Sequence, residues 1–338
     1  MEKVPVFVGL DYHQDGVQVC VLDAGGRMLL NARCANEWEA VCATAQRCGA
    51  VVSAANESCA GAADLADELV GEAKWVVNLA HPGFVSRMKQ NPDKTDFTDA
   101  RMLADLERVG YLPKVWLAPQ EVRELRRLVR YRQQLVDEQR ALKLRIRSAL
   151  REQRARPEEE CRAWTKRWLA WLETTDQISE ESHWIIVRQL RRLGQLAREI
   201  DAVETRLARR TVHDPLVQAL LKTPGIGPVT AWVIRAEIGR FDRFRTGKQL
   251  SRFCGLSPRN ASSGARQADA GLIQAGNRTL RATLIEAAHR LIRYEARWTT
   301  LARQWLERGK PKCVVVAAVA NRWMRRLFHD LQPGRLAA

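Results

Sequence analysis

The stretch EVRELRRLVRYRQQLVDEQRALKLRIRSALREQRAR, which ends just before Pro157, runs for 36 residues with neither glycine nor proline. Nothing in it breaks a helix, and at 1.5 Å per residue it makes a rod of about 54 Å. Leu128, Leu135, Leu142 and Ala149 recur every seven residues, with Leu125 and Ile146 beside them. Beyond Pro157 and a tryptophan-bearing stretch, Leu193, Ile200 and Leu207 repeat the period, flanked by Leu196 and Val203. The pattern predicts a helical hairpin with coiled-coil seams, able to pair within the chain or with another subunit. At 338 residues and 46% hydrophobic content the chain holds two or three domains, and the hairpin divides it into 1–115, 116–212 and 213–338. Arg123, Arg126, Arg127, Arg130, Arg140, Lys143 and Arg147 cover the other faces of the first helix. They read either as a solvated coiled-coil face or as contacts to a nucleic-acid backbone. Trp164, Trp168 and Trp171 fall at helical spacing and read as packing.

Charge is unevenly spread. Residues 1–110 hold ten Lys and Arg against sixteen Asp and Glu, a balance of −6, which leaves +22 for the remainder of a chain whose total is +16. The asymmetry points to a polyanion, most simply nucleic acid, held by the later two-thirds. It also leaves an acidic first domain whose carboxylates need another explanation. The eight cysteines include no C-x-x-C pair and sit mostly in apolar runs, so they read as small hydrophobes rather than zinc ligands or disulfides. No stretch reaches eighteen apolar residues and MEKVPVFVGLDYH has no signal-peptide pattern, so the expectation is a cytoplasmic protein with no membrane partner.

In the acidic part, VPVFVGLDYH alternates apolar residues up to Asp11, and GVQVCVLDAGGRMLLNARC reads as strand, turn, strand. A helix at about 37–47, the buried strand GAVVSAANES ending near Glu57, the helix AADLADELV and the strand KWVVNLA follow. Hairpin strands followed by alternating strands and helices give an α/β domain with a mixed sheet. Asp11 and Glu57 then lie near strand ends, where open α/β sheets bind ligands. Asp96 and Asp99, in KTDFTDARMLADL, share one face of the next helix, because three residues turn it by about 300°. Taken singly, each acid reads as a turn residue, a solvated acid or a first-turn complement to the helix dipole. Four acids converging are costly without a cation, and Mg²⁺, two ions per site, would relieve that cost and clamp a phosphodiester.

The basic C-terminal part opens with LLKTPGIGPVTAWVIRAEIG, an apolar helix, a Pro-Gly-Ile-Gly-Pro turn and a second apolar helix. In this helix-hairpin-helix pattern Gly225 and Gly227 let the backbone approach a phosphate, with a plain interhelix turn as the other reading. Next, Ser262, Ser263 and Gly264 lie in a polar loop bordered by Arg259 and Arg266, and the helix start AGNRTLR brings Arg278 and Arg281. Arginines of this kind stabilise charge on a phosphate under attack. His213 and His289 read as surface or packed residues, so no Ser-His-Asp triad is assigned.

Asp11, Glu57 and KTDFTDA, a coiled-coil hairpin, then TPGIGPVTA, CGLSPRNASSG and AGNRTLR together resemble the DEDD-type transposases of the insertion-sequence 110 family, including the Piv-like DNA invertases, over about residues 5–295. The resemblance implies a ribonuclease H-like (RuvC-like) N-terminal domain with Asp11, Glu57, Asp96 and Asp99 as an acidic tetrad. It implies a mainly α-helical C-terminal transposase domain whose serine, Ser263 with Ser262 as the alternative, attacks DNA to form a phosphoserine link. It further implies donor and target double-stranded DNA as partners, action at the bacterial nucleoid and, as for many members, a structured bridge RNA as guide; with tetrad and serine in distant domains, the coiled coil is expected to supply a homodimer or homotetramer. Two rivals stay open: a RuvC-like hydrolytic nuclease or junction resolvase with water as nucleophile, and a non-catalytic nucleic-acid-binding protein. Residues after about 295 carry no assignable motif and read as a helical pair packing the C-terminal domain.

Overall fold

The computed structural model describes residues 4–88, 95–157, 161–260, 269–274 and 276–332. The chain forms two units, Met1–Ala118 and Pro119–Ala338.

In the first unit, alternating apolar residues make β1 (Pro5–His13), β2 (Gly16–Asp23) and β3 (Met28–Cys34), joined by tight turns. Helix α1 (Trp38–Gln46), strand β4 (Ala50–Glu57), helix α2 (Ala62–Gly71) and strand β5 (Val77–Ala80) follow. Two helices, α3 (Pro82–Met88) and α4 (Asp96–Arg108), and a short strand β6 (Lys114–Val115) complete it. The six strands form one sheet in the order β3-β2-β1-β4-β5-β6. β1 runs parallel to β4, and β4 to β5, while the other neighbours are antiparallel, which is the mixed sheet the sequence predicts. Each face has its own core, as a period of two requires. Val6, Val8, Leu10, Val17, Val19 and Val21 bury against Val41 and Ala45 of α1 and Leu65 and Leu69 of α2. The opposite face carries Cys20, Leu22 and Ala55, covered by Ala100, Leu103 and Ala104 of α4.

In the second unit the long helix forms as α5 (Gln120–Glu152), followed by α6 (Lys166–Thr174) and α7 (Glu180–Thr211). α5 and α7 pair as a hairpin tied by Arg132 to Glu204 at 2.6 Å, Arg192 to Glu138 at 3.5 Å, and Arg210 to Glu124. The buried stripe is not the strict heptad. Leu128 and Leu142 are only partly buried, whereas Val122, Leu125, Val129 and Leu135 are buried toward one end and Ile146 and Leu150 toward the other. The reason is that each end of α5 packs on something besides α7. Trp168 and Leu172 of α6 cover Ile146 and Leu150, with Trp164 and Trp171 packed alongside, the structural role the sequence predicts for them. The other end joins the core of the C-terminal helices.

Those helices are α8 (Pro215–Leu221), α9 (Pro228–Ile238) and α10 (Gly247–Phe253), then a two-stranded antiparallel ribbon of β7 (Pro258–Asn260) and β8 (Asp269–Leu272). They continue with α11 (Arg278–Tyr294), α12 (Ala296–Glu307) and α13 (Lys312–Asp330), and the last two bury Trp298, Val319, Trp323 and Met324. Two arginines of the expected basic face are committed to protein. Arg126 Nε donates to the Ala236 carbonyl oxygen at 3.0 Å, and Arg130 forks onto both oxygens of Glu237 at 2.9 and 3.0 Å. Among the described residues no helix is long and apolar enough to cross a membrane.

Candidate active site

Strand register sets the site. Leu10 of β1 pairs with Asn56 of β4, so the next residues along two parallel strands, Asp11 and Glu57, stand side by side on one face. Asp11 also pairs with Gln18 of β2, whose amide donates to Asn31 Oδ1 at 2.7 Å. Asn31 in turn donates to the Phe97 carbonyl oxygen at 2.9 Å, tying β3 to the first turn of α4. That turn starts at a capping box, in which Thr95 accepts from the Thr98 amide while the Thr98 hydroxyl answers the Thr95 amide. Gly9 decides how closely α4 can lie on β1. A Cβ at Gly9 would fall well inside 3 Å of the Ala100 carbonyl oxygen and the Ala104 amide nitrogen. With only hydrogen there, α4 rests on the strand and brings Asp96 and Asp99, one turn earlier, over the row that holds Asp11.

A residue that the sequence reading left unassigned closes the group. His13 lies two positions after Asp11 and so on the same strand face. Its Nε2 sits 3.4 Å from Asp11 Oδ2 and 3.3 Å from Asp96 Oδ1. One ligand atom from each of Asp11, His13 and Asp96 lies within 4.8 Å of the others. Asp99 is buried, 4% exposed, and close enough to act on the charge of Asp11. Burial raises the Asp11 carboxyl above its ordinary value of 3.8, His13 opposes the shift, and Asp99 and Asp96 add to it. Glu57 is half-buried at the end of β4. The Cys59 thiol just beyond β4, raised by partial desolvation, also feels the charge of both Glu57 and Asp11. The set fits a divalent cation by its donors: the buried Nε2 of His13 faces one oxygen of Asp11 and one of Asp96, and the three lie close enough to share one ion. The i, i+2 spacing of Asp11 and His13 on one strand is the sequence signal that finds the histidine.

The second unit places its expected residues as follows. Gly225 takes φ +83° in the turn between α8 and α9 and lies against Arg290 and Leu291 of α11. Its freedom thus serves the turn and the packing of the helices. Gly227 is the N-cap of α9, with no side chain capping it and nothing within 4 Å of an added Cβ, so this helix start is sterically open. Arg259 is exposed on β7. Ser262, Ser263 and Arg266 lie outside the described residues, in the segment joining β7 to β8. Arg278 opens α11, and Arg281 donates to the Ile273 carbonyl oxygen at 2.7 Å, bracing the chain that leaves β8. Asn277 caps α11 through its Oδ1 and donates from Nδ2 to Glu237 at 2.8 Å. Buried Glu237 therefore ties α5, α9 and the start of α11 together.

Comparison with known proteins gives two family matches. A DEDD-type transposase model matches residues 8–154, which span Asp11, Glu57, Asp96 and Asp99. A model described as Transposase IS116/IS110/IS902 family matches residues 217–303, which span the two serines. A probable family 20 transposase of Pseudomonas aeruginosa is 31% identical over 81% of this chain and 82% of its own length. The transposase for insertion sequence element IS1111A of Coxiella burnetii is 25% identical over 93% and 86%, respectively. The transposase for insertion sequence element IS1328 of Yersinia enterocolitica is 25% identical over 83% and 82%. By these matches, which fall in the order the motifs take along the sequence, the chain belongs to the IS116/IS110/IS902 family of insertion-sequence transposases.

Proposed function

We propose that this transposase is a DNA recombinase whose first unit is a ribonuclease H-like, RuvC-like catalytic domain and whose second unit supplies a serine nucleophile. The observation that carries the reading is the gathering of Asp11, His13 and Asp96 within 4.8 Å, with Asp99 buried close by. Asp11, Glu57, Asp96 and Asp99 would hold Mg²⁺, two ions per site. Bound there, the metal neutralises and polarises the scissile phosphate. Gly9 and the Thr95 capping box hold α4 so that two of the four carboxylates stay in register with the strand. In the second unit Ser263, with Ser262 as the alternative, attacks phosphorus through Oγ. The P–Oγ bond forms, one P–O bond of the DNA backbone breaks, and the departing oxygen takes a proton, so the phosphoserine link conserves a phosphoester for rejoining. The open start of α9 at Gly227, together with Gly225, Arg259, Arg266, Arg278 and Arg281, would contact backbone phosphates of DNA or of a structured bridge RNA. The α5/α7 hairpin would serve a homodimer or homotetramer, in which tetrad and serine can come from different subunits.

The test is covalent capture. Ser263→Ala abolishes protein–DNA adducts while nucleic-acid binding persists, and Ser262→Ala leaves the adducts in place. Cleavage to free ends that survives loss of both serines would instead identify a hydrolytic nuclease. Mg²⁺-independent binding without any cleavage would identify a non-catalytic binder. Mixing Asp11→Asn chains with Ser263→Ala chains restores activity if the site is shared, and no recovery in any mixture counts against sharing.

A further inference from the structure

We infer that His13 is a nitrogen ligand of the metal site and that it shifts the site's preference from Mg²⁺ toward Mn²⁺ and Co²⁺. The inference rests on the carboxylate site proposed above and adds to it a donor of different chemistry.

The geometry is that of neighbouring ligands around one ion. Octahedral ions of this size hold donors at about 2.1 Å, so adjacent donors lie about 3 Å apart. His13 Nε2 stands 3.4 Å from an oxygen of Asp11 and 3.3 Å from an oxygen of Asp96, both close to that edge length. A neutral imidazole with its proton on Nδ1 offers a lone pair at Nε2. That atom is buried and its neighbours are the two carboxylate oxygens alone, so a neutral ring turns its lone pair toward the position a shared cation would take. The ring reaches this position because β1 continues two residues past Asp11 and turns back only at Gly16, the partner of His13 in register.

The consequence lies in ion preference. Mg²⁺ is hard, favours oxygen donors and keeps much of its water, so replacing a water by imidazole gains it little. Mn²⁺ and Co²⁺ gain from a nitrogen donor in the Irving–Williams order, Co²⁺ more than Mn²⁺. Removing the imidazole should therefore weaken Mn²⁺ binding by about tenfold and Co²⁺ binding by more, with Mg²⁺ changed by less than about threefold.

The experiment titrates MnCl₂ into the full chain and reads bound Mn²⁺ by electron paramagnetic resonance, with pulsed detection of ¹⁴N coupling. Competition with Mg²⁺ is measured on the same samples. The proteins are wild type, His13→Ala, His13→Gln and Asp11→Asn. His13 is 43% exposed, so its replacement leaves the core of the unit intact. The expected result is Mn²⁺ with ¹⁴N coupling in wild type, loss of that coupling in both His13 variants, and a Mn²⁺/Mg²⁺ preference reduced about tenfold. Mn²⁺ bound without ¹⁴N coupling, or coupling that persists in the His13 variants, overturns the inference and leaves the carboxylate site standing. Absence of Mn²⁺ binding in wild type, or binding unaffected by Asp11→Asn, overturns the carboxylate site itself and His13's role with it.

Discussion

Replacing Gly9 by alanine should uncouple the two halves of the acidic site. A Cβ at Gly9 would meet the Ala100 carbonyl oxygen and the Ala104 amide well inside 3 Å, and the Ala104 Cβ at 3.0 Å. Two of these three partners are helix backbone, which has no rotamer by which to yield. Restoring ordinary contact near 3.5 Å obliges α4 to retreat by roughly 1 Å or more. Overpacking of this kind costs about 1–3 kcal/mol, against which alanine returns up to about 1 kcal/mol over glycine in a strand. The net loss of about 1–2 kcal/mol should lower the Tm of the first unit by roughly 4–8 °C. The larger effect falls on function. Asp96 and Asp99 ride on α4 whereas Asp11 and His13 ride on β1, and metal sites tolerate only about 0.2 Å in ligand distance. Mn²⁺ binding and DNA cleavage should therefore fall far more than stability does. The assay is thermal unfolding beside Mn²⁺ titration, with Gly71→Ala as control. Gly71 ends α2 with nothing within 4 Å of an added Cβ, and alanine there should be neutral or stabilise by up to about 1 kcal/mol. A Gly9→Ala protein with wild-type Tm and wild-type Mn²⁺ affinity would refute the claim that close approach of α4 to β1 assembles the site.

Four further outcomes follow from particular contacts. The Asp11 carboxyl, raised above 3.8 mainly by burial, contributes stability that is fully present below that value and is lost as pH rises through its folded value. Without divalent cation, Asp11→Asn should thus raise the Tm at pH 7 but not at pH 4, and a lower Tm at pH 7 would count against the assignment. A divalent cation at a hundred times its Kd should add about 2.7 kcal/mol to wild type and nothing comparable to Asp11→Asn, as read from unfolding with and without Mn²⁺. Glu237→Ala should cost about 1–3 kcal/mol in urea unfolding, because it removes a buried carboxylate that accepts from Arg130 and the Asn277 amide, and a loss below about 0.5 kcal/mol would show the contacts to be dispensable. Asn56 is fully buried and neither of its side-chain polar atoms has a hydrogen-bond partner among the described residues, so Asn56→Leu should stabilise the first unit by about 1 kcal/mol. Destabilisation there would mean that a bound water satisfies the amide.

Much of this protein is local, and local rules are legible in sequence. The absence of glycine and proline over 36 residues determines α5. Alternation of apolar residues determines β1 and β2 and the face on which Asp11 stands, and the three-residue spacing of Asp96 and Asp99 puts both at the head of α4. What each element meets is not local. The heptad leucines at 128 and 142 stay partly exposed because the two ends of α5 pack on α9 and α6 as well as on α7, a competition that no period within α5 records. Arg126 and Arg130 look like free surface charge along the helix, yet Glu237 and the end of α9 tie both of them to protein. His13 stands in plain sight two residues after Asp11. Its part is set only when α4 settles on Gly9 and carries Asp96 across to it, because a ligand set is a property of distances between elements, and those distances come from packing. The sequence by itself determined the elements, the acidic residues and the family. The tertiary structure decided which of those acids share a neighbour, since burying two different faces of one sheet leaves a single depth at which the last helix can rest.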